Sequence, residues 1–157
     1  MRKFIFPLIL VIVVQAVIAS ACTATPPASP LPLGTPASDW KLHLTQTGGY
    51  IGRHLEVEVS GDGHLRATDV HSGQVVERSL SAAEMESLAS VYAATSLKPL
   101  PPQHGGCADC FVYQLDARAD GKSVSLQVDD TTIDQSGAGE LIMLLRQLRD
   151  ASFHGQP

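Results

Sequence analysis

Between Trp40 and Leu80 the chain alternates apolar and polar residues and is cut at short intervals by glycine. Trp40, Leu42 and Leu44 alternate with Lys41, His43 and Thr45 before Gly48-Gly49. Leu55, Val57 and Val59 alternate with Glu56 and Glu58 before Gly61-Asp62-Gly63. The segments His64 to Val70 and Val75 to Leu80 follow, separated by Ser72-Gly73. A two-residue period matches the two faces of a β-strand, and glycine supplies the backbone freedom of tight turns. The pattern predicts four short strands in an antiparallel meander.

A helix is expected next. Ser81 is a suitable N-cap, and Glu84 three residues later completes a capping box. Met85, Leu88, Ala89 and Tyr92 then share one face, and the helix fades near Ser96, before Pro99. The segment Lys98 to Asp109 contains three prolines and Gly105-Gly106, so it reads as a long loop. The strand signal returns at Phe111, Tyr113, Leu115 and Ala117, turns at Asp120-Gly121, and runs back through Val124, Leu126 and Val128. A closing helix is predicted from about Gly139 to Asp150, with Leu141, Leu144, Leu145 and Leu148 as its apolar stripe. Arg146 and Arg149 suit its negative C-terminal end. The expected fold is α+β: an antiparallel sheet of about six short strands, meander plus hairpin, packed by two helices.

The N-terminus is of another kind. Arg2 and Lys3 precede an apolar run from Phe4 to Ile18, which ends in Ala19-Ser20-Ala21-Cys22. This resembles a bacterial lipobox, in which the cysteine is lipidated and becomes the first mature residue. The resemblance implies a signal peptide over 1–21, a palmitate-bearing Cys22 and a domain outside the cytoplasm, anchored to a membrane of the bacterial cell envelope. Thr23 rather than aspartate after the cysteine favours an outer membrane where one exists. Two other readings stay open. Ala19-Ser20-Ala21 also fits ordinary signal-peptidase cleavage, and the apolar run could remain as an anchor. Pro7 and Gln15 interrupt that run, which is shorter than the roughly 20 residues a spanning helix needs. The lipoprotein reading is preferred because small residues and a cysteine coincide and a linker follows.

That linker is Thr23 to Ser38, with proline at 26, 27, 30, 32 and 36. Proline removes backbone donors and fixes φ, so helix and sheet are disfavoured. At about 3.1 Å per residue the segment would reach roughly 50 Å. Residues 22–38 thus read as lipidated cysteine and tether, and residues 39–157 as one domain. Of the 11 Lys and Arg, Arg2 and Lys3 leave with the signal, so the mature balance is 9 against 16 Asp and Glu. That acidic surface, with no basic stripe, speaks against nucleic acid as a partner.

No H-E-x-x-H, G-x-S-x-G or P-loop occurs, so no enzymatic activity and no cofactor are expected. Cys107 and Cys110, with His104, offer three soft groups at three-residue spacing, but structural zinc wants four ligands. Outside the cytoplasm a Cys107–Cys110 disulfide is the simpler expectation, with unpaired thiols and a metal site as alternatives. Asp129, Asp130 and Asp134 lack the glycine and terminal glutamate of a calcium loop and read as a strand end and turn. The histidines at 43, 54 and 64 lie in or beside strands, where they could converge or simply face solvent.

Gly48-Gly49-Tyr50-Ile51-Gly52 after a first strand, Tyr113 in an aromatic-led strand and the Asp120-Gly121 hairpin form an ordered series. Val128-Asp129-Asp130-Thr131 and the Leu-rich closing helix complete it. In that order they resemble emfourin-like proteins, proteinaceous inhibitors of thermolysin-like metalloproteases. The resemblance spans about Lys41 to Leu148, and the lipoprotein signal and cysteine pair depart from it. It implies that a secreted metalloprotease is a partner. Two segments could fill a protease cleft: Gly48, Gly49, Tyr50, Ile51 and Gly52 on a tight turn, and the proline-stiffened stretch displaying Leu97 and Leu100. The alternative is a non-catalytic envelope binding or assembly module.

Overall fold

A computed structural model describes residues 39–96 and 107–155. The meander comprises β1 (Lys41–Gly48), β2 (Arg53–Ser60), β3 (His64–Asp69) and β4 (Gln74–Ser79). Helix α1 (Ala82–Ala94) follows, then the hairpin β5 (Phe111–Ala119) and β6 (Lys122–Asp129). A 3-10 turn at Ile133–Gln135 leads into α2 (Gly139–His154). The six strands form one antiparallel sheet in the order β4-β3-β2-β1-β5-β6. After α1, therefore, the chain returns to the free side of β1 rather than continuing the meander.

The alternation puts Leu42, Leu44, Val57, Val59, Leu65, Ala67, Tyr113, Leu115 and Val128 on one face, all buried. Helix α2 lies on that face across β2, β3 and β4, contributing Leu141, Ile142, Leu145 and Leu148 to the core. Each such aliphatic burial contributes about 1.5–3 kcal/mol against chain entropy. The opposite face is polar. Lys41 pairs there with Glu58 at 2.8 Å, and Arg66 with Glu77 at 3.7 Å.

Ser81 caps α1 as the sequence predicts: its side chain accepts from the Glu84 N–H, and the Glu84 carboxylate accepts from the Ser81 N–H. The same carboxylate receives both terminal nitrogens of Arg78 on β4 (2.8 and 3.1 Å), while Arg78 Nε donates to Ser152 Oγ of α2 at 2.8 Å. One arginine thus joins the edge strand to both helices. Those hydrogen bonds, with Arg78 foremost, hold the Glu84 carboxyl down at about 2.

Three expectations need correction. Of the α1 face, Leu88 alone is fully buried; Ala89 is exposed and Val91 is half-buried in its place. That helix packs mainly against α2 rather than flat onto the strands. Helix α2 continues a full turn beyond Asp150, to His154. Arg149 therefore does not sit at a solvent-facing helix end. It lies on the buried side with Leu145 and Ser152, four residues before and three after it.

Candidate functional site

The β1–β2 connection is a β-turn with Tyr50 and Ile51 at its central positions, closed by the Gly52 N–H donating to the Gly49 carbonyl at 2.9 Å. Gly48, Gly49 and Gly52 all have positive φ (97, 71 and 63°), a backbone region costly for residues with a Cβ. Two of them also permit close approach. A Cβ on Gly48 would stand 2.5 Å from the Cys110 carbonyl oxygen, and one on Gly49 would stand 2.6 Å from Phe111 Cε1. The turn therefore rests directly on the start of β5.

Tyr50 is 91 % and Ile51 66 % exposed, against 44–45 % for Val70, Val75 and Met143, the other exposed large apolar residues among those described. Tight turns favour small polar residues, so two large apolar side chains held in water at a turn tip carry a solvation cost without an internal packing return.

Several contacts brace the ground beneath the turn. The Gly49 N–H donates to the Cys110 carbonyl at 3.1 Å. Cys110 is joined to Cys107 by a disulfide, with Cα atoms 5.2 Å apart. In that state neither sulfur is a thiolate able to ligate a metal. The Phe111 N–H donates to Asp130 Oδ2 at 2.7 Å, and the Tyr113 hydroxyl to Asp130 Oδ1 at 3.0 Å. Burial, and then this bond to a carboxylate, push the Tyr113 phenol up to about 12. The Arg146 guanidinium lies 5.3 Å from the centre of the Tyr113 ring. Farther down β1, Gln46 is buried and its Oε1 accepts from Arg149 Nη1 at 2.9 Å. Burial lowers the Arg149 pKa, opposed by the Asp150 carboxylate, which bonds its Nε and Nη2 at 2.9 Å.

Tyr113, Asp130, Gln46 and Arg149 were not singled out as supports of the turn by sequence reasoning. The signal available was polar residues at positions of apolar period: Gln46 follows Leu42 and Leu44 on their face of β1. Asp129 is explained by the strand end. Its carboxylate accepts from the Thr131 and Thr132 hydroxyls at 2.6 and 2.9 Å, and these bonds, with Thr131 foremost, lower its pKa.

Leu97, Leu100 and His104 lie outside the described residues, as do Cys22 and the tether. The chain re-enters the described structure at Cys107, three residues before the carbonyl that holds Gly49. On the polar face of the sheet His43 and His54 both approach Glu56, at 3.8 and 3.1 Å, while His64 faces Glu77 at 3.9 Å. Among the described residues no group of three or more His, Cys, Asp or Glu is placed to hold a metal ion. No helix among them is long and apolar enough to cross a membrane. Neither a protein-family model nor a curated protein sequence matches the chain.

Proposed function

We propose that this chain is a lipid-anchored envelope protein whose domain inhibits thermolysin-like metalloproteases by inserting the Tyr50–Ile51 turn into the enzyme's cleft. The observation that carries the reading is the turn: two exposed large apolar side chains on a backbone fixed by Gly49–Cys110, Phe111 and the disulfide. Such preorganisation reduces the ordering entropy lost on binding. A cleft that accepts large apolar side chains would recover the solvation cost of Tyr50 and Ile51. Cys22 would carry the lipid and residues 23–38 would hold the domain off the membrane.

The test is titration of residues 23–157 against a purified thermolysin-like metalloprotease. Stoichiometric loss of activity is expected. Tyr50→Ala and Ile51→Ala should each weaken inhibition by ~10-fold or more, the scale of an interface anchor, with the melting temperature unchanged. Unimpaired protease activity at micromolar inhibitor would refute the reading. The alternative, a tethered binding module without inhibitory activity, draws on the same turn, since an exposed tyrosine is a common interface anchor. Recovery of an envelope partner by the wild type and its loss in Tyr50→Ala, with no effect on protease, would select that module.

A further inference from the structure

The two edges of the sheet differ in a way that concerns association. β4 carries Glu77 and Arg78 near its middle, and charge on an edge strand discourages pairing with another chain. β6, the other edge, reads KSVSLQVD. Between Lys122 and Asp129 it has no charge and no proline, and its register with β5 runs without a bulge from Val112↔Asp129 to Ala119↔Lys122.

The turn fixes which backbone groups of β6 point outward. Asp120 and Gly121 both have positive φ (51 and 72°), the two-residue hairpin geometry in which Lys122 N–H donates to the Ala119 carbonyl. Bonded and non-bonded pairs then alternate along the ladder. Lys122, Val124, Leu126 and Val128 direct their amides at β5. The bond from Asp130 N–H to the Phe111 carbonyl, 3.2 Å, falls in the same alternation. Ser123, Ser125 and Gln127 direct N–H and C=O away from the sheet, and all three are exposed. The outward groups of Asp129 are already used, its N–H by Thr132 Oγ1 and its carbonyl by the Thr132 N–H, both at 3.0 Å.

We infer that β6 pairs antiparallel with β6 of a second copy of this chain, about a two-fold axis through Ser125. In that register Ser125 faces its own equivalent and Ser123 faces Gln127 of the other copy. Every outward N–H and C=O then finds a partner. Facing residues differ by an even number, so polar side chains stay on the polar face and half-buried Val124 meets Leu126 on the core face. A shift of one residue would mix the two faces. A shift of two would leave one of the three residues opposite the turn or opposite Asp129, whose groups are taken. The inference stands apart from what the Tyr50–Ile51 turn binds.

The experiment uses residues 39–157, which contain the whole sheet and core, in sedimentation velocity from micromolar to near-millimolar concentration. A concentration-dependent dimer is expected. Ser125→Pro removes an outward amide and spares the ladder to β5, so it should keep the wild-type circular dichroism while weakening dimerisation by ~10-fold or more. Ser125→Cys gives the register. Directly facing residues in a bonded pair have Cα atoms about 5.5 Å apart, within disulfide reach, so this variant should crosslink under mild oxidation. Ser123→Cys and Gln127→Cys, each far from its own equivalent, should not. A wild type that stays monomeric throughout overturns the proposal. So does a folded Ser125→Pro that dimerises normally, or Ser123→Cys crosslinking as fast as Ser125→Cys. A monomer whose β6 amides gain exchange protection only with an added extended peptide would assign the edge to a foreign chain instead.

Discussion

Removing either Gln46 or Arg149 alone should damage the domain more than removing both. Each is 2 % exposed, and a single 2.9 Å hydrogen bond joins Gln46 Oε1 to Arg149 Nη1 across the interface of β1 with α2. In Gln46→Leu the guanidinium keeps its burial and loses that acceptor. An unsatisfied buried donor costs about 1–3 kcal/mol, and more when charged. In Arg149→Met the Gln46 amide is stranded instead, while the desolvation of a buried charge is relieved. About 2 kcal/mol of destabilisation is expected from each single change. The double variant places two apolar chains of similar volume in the same space, and about 1 kcal/mol or less should remain. The cycle then shows a coupling of about 3 kcal/mol, the upper part of the range for contacting residues. The assay is urea unfolding of residues 39–157 followed by the fluorescence of Trp40, the one tryptophan, which is buried just before β1. Slopes must match the wild type for midpoints to be compared as stability. A double variant as unstable as the sum of the singles would refute the argument. Because Gln46 lies two residues before Gly48, the single variants should also exchange the Gly49 and Gly52 amides faster.

Two further outcomes follow from the same contacts. The Glu84 carboxyl is held at about 2, below its ordinary 4.5, chiefly by Arg78. A carboxyl depressed in the folded state stabilises fully above its unfolded value, so stability should fall as pH drops from about 4.5 towards 2. With partial solvent screening the loss is about 1–2 kcal/mol, read from urea midpoints against pH, and Glu84→Gln should flatten this part of the profile. Gly48→Ala combines a φ of +97° with a Cβ 2.5 Å from a backbone oxygen, whereas Gly52 at +63° has open space around its Cβ position. Gly52→Ala should cost about 1–2 kcal/mol and Gly48→Ala clearly more, measured by thermal melting; equal losses would refute the close approach of turn and β5.

Much of the fold was legible in the chain because it depends on near neighbours. Alternation between Trp40 and Leu80 marks strands, since side chains of a strand take opposite sides whatever they pair with. Ser81 and Glu84 mark a helix start through hydrogen bonds three residues apart, and Asp120-Gly121 marks a hairpin through its own backbone angles. Gly48 to Gly52 could be read as a turn displaying Tyr50 and Ile51 for the same local reason.

What tertiary structure decided depends on partners distant in sequence. Nothing within β1 states that β5 will occupy its second side, yet that pairing brings Cys110 and Phe111 beneath Gly49 and turns an ordinary hairpin into a braced one. Arg149 near the C-terminus of a helix looks like a partner for the helix dipole. It is a core residue because α2 runs on to His154 and because Gln46, 103 residues earlier, offers it an acceptor. Asp130 looks like part of an acidic turn until Phe111 and Tyr113 supply its donors. Among the described strands, the order also leaves β6 as an edge with no charge between Lys122 and Asp129, and a strand becomes an edge only through what fails to pair with it. Local geometry is set by short-range sterics and hydrogen bonds, which sequence carries directly. Buried polar partners and sheet edges are set by long-range pairing, where each residue's role exists only once its neighbour has arrived.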